Sequence, residues 1–263
     1  MIKMRRLFLL ILTFSCAFAV KAQVGQYRND LAIGINGGVV LSNVGFVPKV
    51  PQNFYVGKSA GITMRYTAEK YFNSICAVVA EVNYTQMGWD ERIWDSEDAP
   101  VINALTGEAE EYARTVNYIQ IPFFARLGWG RERRGFQAFF QIGPQIGIYL
   151  SESTKANFDL SKPNVNDRIS HISGPDINGN PFSNMYFKPI ENKLDYGIAG
   201  GGGLEFSIPR VGHILLEGRY YYGLGNIYGN TKRDFFAKSN FQGIVVKMTY
   251  LFDIMRTKNS SIK

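Results

Sequence analysis

An all-β fold, an eight-stranded antiparallel up-and-down transmembrane β-barrel with short periplasmic turns and long extracellular loops, is predicted by three features of the sequence. Apolar and polar residues alternate with a period of two through eight long segments, and no stretch after residue 22 keeps a convincing helical period. These segments run about 12–16 residues, against about 5–6 for a usual strand in soluble sheets. The connections alternate long and short, as loops and turns do in outer-membrane barrels, whereas a soluble sandwich or lipocalin-like barrel has no reason to keep every second connection short.

The ends fit that setting. Lys3, Arg5 and Arg6 precede an apolar run from Leu7 to Val20, and Val20-Lys21-Ala22 offers a small-x-small exit before Gln23, so 1–22 is predicted to be a secretory signal peptide. A lipoprotein signal acylated at Cys16 is the rival, but Phe14 is too bulky for a good lipobox. The mature domain is then 23–253, with a short periplasmic tail at 254–263. Four of the 29 basic residues leave with the signal and no acidic residue does, which lowers the net charge from +7 to +3 and gives no ground for a nucleic-acid partner. Cys76 alone remains, so no internal disulfide is available to the mature chain.

The strands follow in order. The first, 31–42, turns Leu31, Ile33, Ile35, Val39 and Leu41 to one face. The second, 58–69, does so with Ala60, Ile62, Met64 and Tyr66, and the third, 75–88, with Cys76, Val78, Ala80, Val82 and Tyr84. The fourth, 114–129, holds the stretch NYIQIPFFARLGW, in which Ile119, Ile121, Phe123, Ala125 and Leu127 meet lipid, with Trp129 at the interface. The fifth is 135–150, the sixth 194–208, the seventh 213–225 and the eighth 238–253. Pro122 and Pro144 cannot donate to a ladder, so each should mark a bulge or a broken ladder bond. Aromatic residues near strand ends, among them Tyr66, Tyr84, Trp129, Phe206, Tyr222, Tyr250 and Phe252, fit interfacial girdles.

The opposite face carries charge in mid-strand. Arg65, Glu81, Arg126, Glu205, Glu217, Arg219 and Lys247 are all in phase with one another and out of phase with the apolar set. In a narrow eight-stranded barrel such charges are tolerable only as a hydrogen-bonded ion network, which leaves no pore of useful width. Glu81 is the preferred partner for Arg126, because their strands should be neighbours. Gly200 to Gly203 continue into the strand residues Leu204-Glu205-Phe206 and lack a following helix, so they are not a nucleotide fingerprint. Small residues at Gly197, Ala199, Gly201 and Gly203 instead leave lumen space for Tyr149, Arg219 or Tyr221.

Chemistry is sparse. The two histidines are His171, in a long loop, and His213, beside the PRVG turn, and neither lies where a preorganised site is expected, so no catalytic residue is assigned. The acidic run from Asp90 to Glu111 lacks calcium-loop spacing and reads as a solvated loop, and neither a metal nor a cofactor is assigned. TGEAEEYAR, 106–114, could form a short helix. The loops 89–113 and 151–193 are long enough to be contact surfaces rather than bare connectors.

NYIQIPFFARLGW, FFQIGPQIGIYL, DYGIAGGGGLEF, LLEGRYYYGLGNI and the ending MTYLFD together make the chain resemble the PorT-like outer-membrane β-barrel proteins of Bacteroidetes, over about 31–253. The resemblance implies an eight-stranded barrel in the outer membrane of a Gram-negative bacterium and suggests a link to type IX protein secretion. The expected function is a non-enzymatic envelope interaction or assembly component, contacting outer-membrane lipid and reaching envelope or secretion-system proteins through loops 89–113 and 151–193. The alternative is a narrow transport or small-molecule-binding barrel that uses the charged lumen.

Overall fold

The computed structural model describes residues 26–47, 49–94, 97, 99–103, 106–131, 134–158, 189–229 and 236–257. The expected signal segment, Cys16, His171, most of loop 151–193 and the last residues of the tail lie outside the described residues.

Among the described residues nine strands form: β1 (Gln26–Val47), β2 (Gln52–Asn53), β3 (Tyr55–Tyr71), β4 (Ser74–Arg92), β5 (Glu111–Gly130), β6 (Gly135–Ala156), β7 (Leu194–Ile208), β8 (Gly212–Gly223) and β9 (Lys238–Met255). Sequential neighbours pair antiparallel, β9 returns to β1, and β4 pairs with β5, so eight long strands close a ring. The two-residue β2 is an outer addition paired with β4. Closure removes every edge within the membrane, where an unpaired backbone group has no water to bond.

The side-chain faces follow the alternation. Ile35, Ile62, Val78, Phe123, Ile142, Ile198, Leu216 and Val246 are exposed on the outside, as lipid contact requires. Asn36, Arg65, Glu81, Gln120, Arg126, Gln141, Glu205, Glu217 and Lys247 are buried in the lumen. Tyr66, Trp129, Phe136, Phe206, Tyr250 and Phe252 lie outside near the short turns, and Tyr84, Tyr196, Tyr220 and Tyr222 near the opposite end. Phe136 and Phe206 pack ring to ring at 4.7 Å.

The turn between β7 and β8 needs Arg210 in the left-handed region, at φ 66°. Pro122 and Pro144 cause no bulge. The β4–β5 ladder places Ala80 opposite Phe123 and Asn83 opposite Gln120 in one register, with a gap opposite Pro122. The β5–β6 ladder likewise runs from Pro122–Gln145 to Ala125–Ile142 without a shift, skipping the position of Pro144. The missing donors are absorbed as broken rungs, because the ladder on either side holds the register.

Strand length departs from expectation at the extracellular end. Crossing the bilayer takes about 9–11 residues of tilted strand. β1 and β6 have 22 residues each, β5 has 20 and β4 has 19, against 15 in β7 and 12 in β8. The turns at the other end are short, so the surplus projects outward. Segment 89–113 is therefore not one loop: β4 continues to Arg92 and β5 begins at Glu111, with Arg92 opposite Glu111. The short helix expected at 106–114 is absent, since Tyr112 and Arg114 alternate inward as strand residues and Tyr112 pairs with Glu91 and Ala156. Period two, with a strand partner on each side, overrides the helix-favouring Glu and Ala residues. β6 runs to Ala156, so the third loop also starts later than expected.

Candidate functional site

The lumen is built from two ion clusters and an aromatic core stacked along the barrel axis. The middle cluster joins β4, β8 and β9. Lys247 Nζ donates to Glu81 Oε1 at 2.6 Å and lies 3.2 Å from Glu217 Oε1. Arg219 Nη2 donates to Glu81 Oε2 at 2.9 Å, and Gln141 Nε2 donates to Glu217 Oε2 at 3.1 Å. Asn83 donates to Glu81 at 2.8 Å, and Asn36 donates to Asn83 at 2.8 Å and to Thr63 at 2.9 Å. Two cations thus face two carboxylates, which is the condition for burying charge at all, and amides take part of the remaining valences, while Arg219 Nε and Nη1 and Gln141 Oε1 find no hydrogen-bond partner among the described residues.

The second cluster sits nearer the periplasmic mouth. Glu205 on β7 accepts from Arg65 Nη1 at 2.7 Å and from Arg126 Nη2. His213 Nδ1 lies 2.7 Å from Glu205 and 2.8 Å from Ser207 Oγ, and its Nε2 lies 3.0 Å from Asp253. A cavity of about 30 Å³, room for about one water, is lined by Arg65, Arg126, Glu205, His213 and Asp253 among others.

The structure brings all seven charged residues into the lumen but divides them between these clusters. The expected Arg126–Glu81 pair is not formed. Strands β4 and β5 are adjacent, yet their register puts Ala77 opposite Arg126 and leaves Glu81 level with Pro122, further along the barrel. Arg126 instead reaches past β6 to Glu205, two strands away. Its guanidinium also lies 3.7 Å from the centre of the Phe139 ring. Phe139 fits there because Gly203 has no side chain: a Cβ on Gly203 would sit 2.8 Å from the Phe139 ring edge. Arg219 packs against Gly201 and Tyr221 against Gly197 in the same way. Tyr149, also considered for that space, points to the ring of Tyr118 instead, at 6.2 Å.

Sequence reading passed over Ser207–His213–Asp253, which forms a serine–histidine–acid chain. The signal was there in the period, since Ser207 and His213 flank one turn on the lumen face. Ser207 is only 2 % exposed, and His213 is shared with Glu205.

Above the ions, the outer half of the barrel is filled by an aromatic and aliphatic core, with Glu91, Arg114 and Asp195 buried beside it. Trp89, Tyr118, Phe241, Met87, Val116 and Phe46 are buried together. Trp89 meets Phe46 edge-on at 5.5 Å, and Tyr118 meets Phe241 edge-on at 5.7 Å. Two connecting segments complete the wall where β7 and β8 are short. Ile190, Ile227, Tyr228 and Phe236 insert into the core, held by Ile227 N–H to Ser239 C=O at 2.8 Å and Glu191 N–H to Ile227 C=O at 3.1 Å. Arg114 clamps the site, donating to Tyr228 at 2.9 Å and to Glu152 at 3.0 Å. Burial holds the Tyr228 phenol above its usual pKa, so it meets Arg114 as a neutral hydroxyl.

A family model for an outer membrane protein beta-barrel domain matches residues 21–229. The chain belongs to that family. It resides in the outer membrane of a Gram-negative bacterium. The match ends before β9, the strand that closes the ring between β8 and β1. Among solved structures, Ail, the attachment invasion locus protein of Yersinia pestis, in complex with the heparin analogue sucrose octasulfate, is 10% identical, with 86% of this chain and 99% of that chain covered and a TM-score of 0.30. Neisserial surface protein A is 8% identical, covering 84% and 97%, with a TM-score of 0.36. OprG from Pseudomonas aeruginosa is 12% identical, covering 87% and 98%, with a TM-score of 0.34. No curated protein matches the chain.

Proposed function

We propose that this barrel is a non-catalytic interaction or assembly component of the cell envelope. The observation that carries this is the outer end. There β4, β5 and β6 project past β7 and β8 as a rigid platform, supported by a filled aromatic core rather than by an open channel. A surface fixed in this way holds a partner's contacts in place at little ordering cost. The buried Ser207 supports the non-enzymatic reading. Cleavage of 1–22 as a signal peptide belongs to the same proposal.

Replacing 95–108 and 159–188 by short Gly-Ser turns leaves every barrel strand in place. Both changes together should remove co-purifying envelope proteins from the tagged, membrane-extracted barrel. Unchanged co-purification would overturn contact through these two loops, and retention of every partner when Lys49→Glu and Arg92→Glu are added beside the platform would overturn the interaction reading. A role in type IX secretion follows from the PorT-like resemblance alone, and recovery of secretion-machine components in that pull-down is its test.

A further inference from the structure

A cleft of about 600 Å³ opens on the extracellular side between the outer end of β1 and the β2–β4 pair, lined by Asn43, Phe46, Lys49, Gln52, Arg92 and Trp94 among others. That is within the size range of about 300–1,000 Å³ for ligand sites. It exists because β1 outruns its neighbour: pairing of β1 with β3 ends at Ser42–Tyr55, while pairing with β9 continues to Val47–Lys238. From Val44 onward, one edge of β1 therefore has no strand beside it.

The chain fills the first place on that edge with a side chain. The Gln52 amide accepts from Val44 N–H at 3.0 Å and donates to Val44 C=O at 2.6 Å, imitating one rung of a ladder. The next outward-facing position on this edge is Phe46. Its cross-strand neighbour on β9, Ser239, bonds elsewhere through both backbone groups: its C=O accepts from Ile227 N–H and its N–H donates to Asn226. The Phe46–Ser239 pair is thus a non-hydrogen-bonded one, and Phe46 turns its N–H and C=O the other way, into the cleft. Among the described residues no backbone bond to either group is made there.

The lining also has a sign. Among the described residues, Lys49 and Arg92 are its two cations and no carboxylate lines it. Arg92 donates to the neutral Asn53 Oδ1 at 2.5 Å within the cleft, and the carboxylates near it, Asp90 on its own strand and Glu111 opposite, lie outside the lining. The buried indole N–H of Trp94 has no acceptor among the described residues.

We propose that this cleft takes an extended, acidic peptide segment of a partner protein, added as a short strand on the Phe46 edge of β1. Backbone rungs supply the addition, and Lys49 and Arg92 select for acidic side chains. The idea rests on the interaction reading above and gives it a site and a partner chemistry.

The test uses the full barrel in nanodiscs and fluorescent seven-residue peptides. The probes are an alternating Val-Glu peptide, its Val-Lys counterpart, the Val-Glu peptide N-methylated at alternate residues, and a heparin oligosaccharide. The Val-Glu peptide should bind, and Lys counterparts, N-methylation and the double variant Lys49→Gln/Arg92→Gln should each weaken it by about tenfold or more. Heat-modifiable migration on gels checks that the variant is folded. Equal binding of the N-methylated peptide overturns strand addition. Preferential binding of the heparin oligosaccharide makes the cleft a saccharide site and overturns the peptide assignment. Absence of Val-Glu binding by a folded barrel overturns it outright. If the peptide results fail while the turn replacements still remove envelope partners, the interaction reading stands and the cleft is not its site.

Discussion

Arg126 on β5 and Glu205 on β7 form an ion pair inside the lumen, with β6 between their strands, and Glu205 takes Arg65 from β3 on the opposite wall at the same time. One carboxylate therefore ties three strands together from inside. Such a tie reports barrel closure in a way that neighbouring-strand contacts do not.

A double-mutant cycle measures it. Arg126→Met with Glu205→Gln should show a coupling of about 0.5–3 kcal/mol, as for residues in one ionic network, while Arg126→Met with Glu81→Gln should be additive within about 0.5 kcal/mol. Urea unfolding of the refolded barrel in lipid supplies the free energies. Glu205→Ala alone should cost about 3–5 kcal/mol, because it leaves buried arginines uncompensated.

Glycines on the lumen face of β7 should be far less replaceable than one on the lipid face of β8. A Cβ on Gly201 would lie 2.2 Å from the Gly218 carbonyl oxygen, whereas one on Gly218 meets nothing within 4 Å. Gly201→Ala is expected to destabilise by about 1–3 kcal/mol, as overpacking does, and Gly218→Ala to be near neutral. Thermal loss of the compact gel band compares the two.

The aromatic core should contribute stability in the manner of a soluble protein. Phe241 is fully buried against Trp89 and Tyr118, so Phe241→Ala is expected to cost about 3–5 kcal/mol. The same unfolding assay decides, and a loss below about 1 kcal/mol would show that this half of the barrel is loosely filled.

Conductance separates the interaction reading from a transport one. Planar bilayers with the purified barrel should show no stable channel. Glu217→Gln and Arg219→Gln should stay silent too, because the aromatic core still closes the outer half when the middle ion cluster is weakened. Steady channels that change with either substitution would favour transport through the lumen.

Much of the barrel was legible in single strands. The facing of Ile119, Ile121, Phe123 and Leu127 outward and of Gln120 and Arg126 inward follows from period two, because lipid and lumen impose opposite demands on alternate residues of one strand. The short turns and the compensating small residues of β7 were legible for the same local reason. Where strands end was not. Nothing within TGEAEEYAR states that Tyr112 has Glu91 and Ala156 beside it, and those neighbours make it a strand residue.

The sequence by itself determined the fold class, the face of each strand and the need for its inward charges to be compensated, since each rests on local alternation and on the cost of a bare charge. Only the tertiary structure decided which charges meet. Stagger between tilted strands sets the height of each residue along the axis, so Glu81 of the neighbouring strand falls level with Pro122, and Arg126 finds Glu205 two strands away on the other side. The unequal strand lengths that raise the platform and leave the Phe46 edge open depend on the same long-range register, which no single segment encodes.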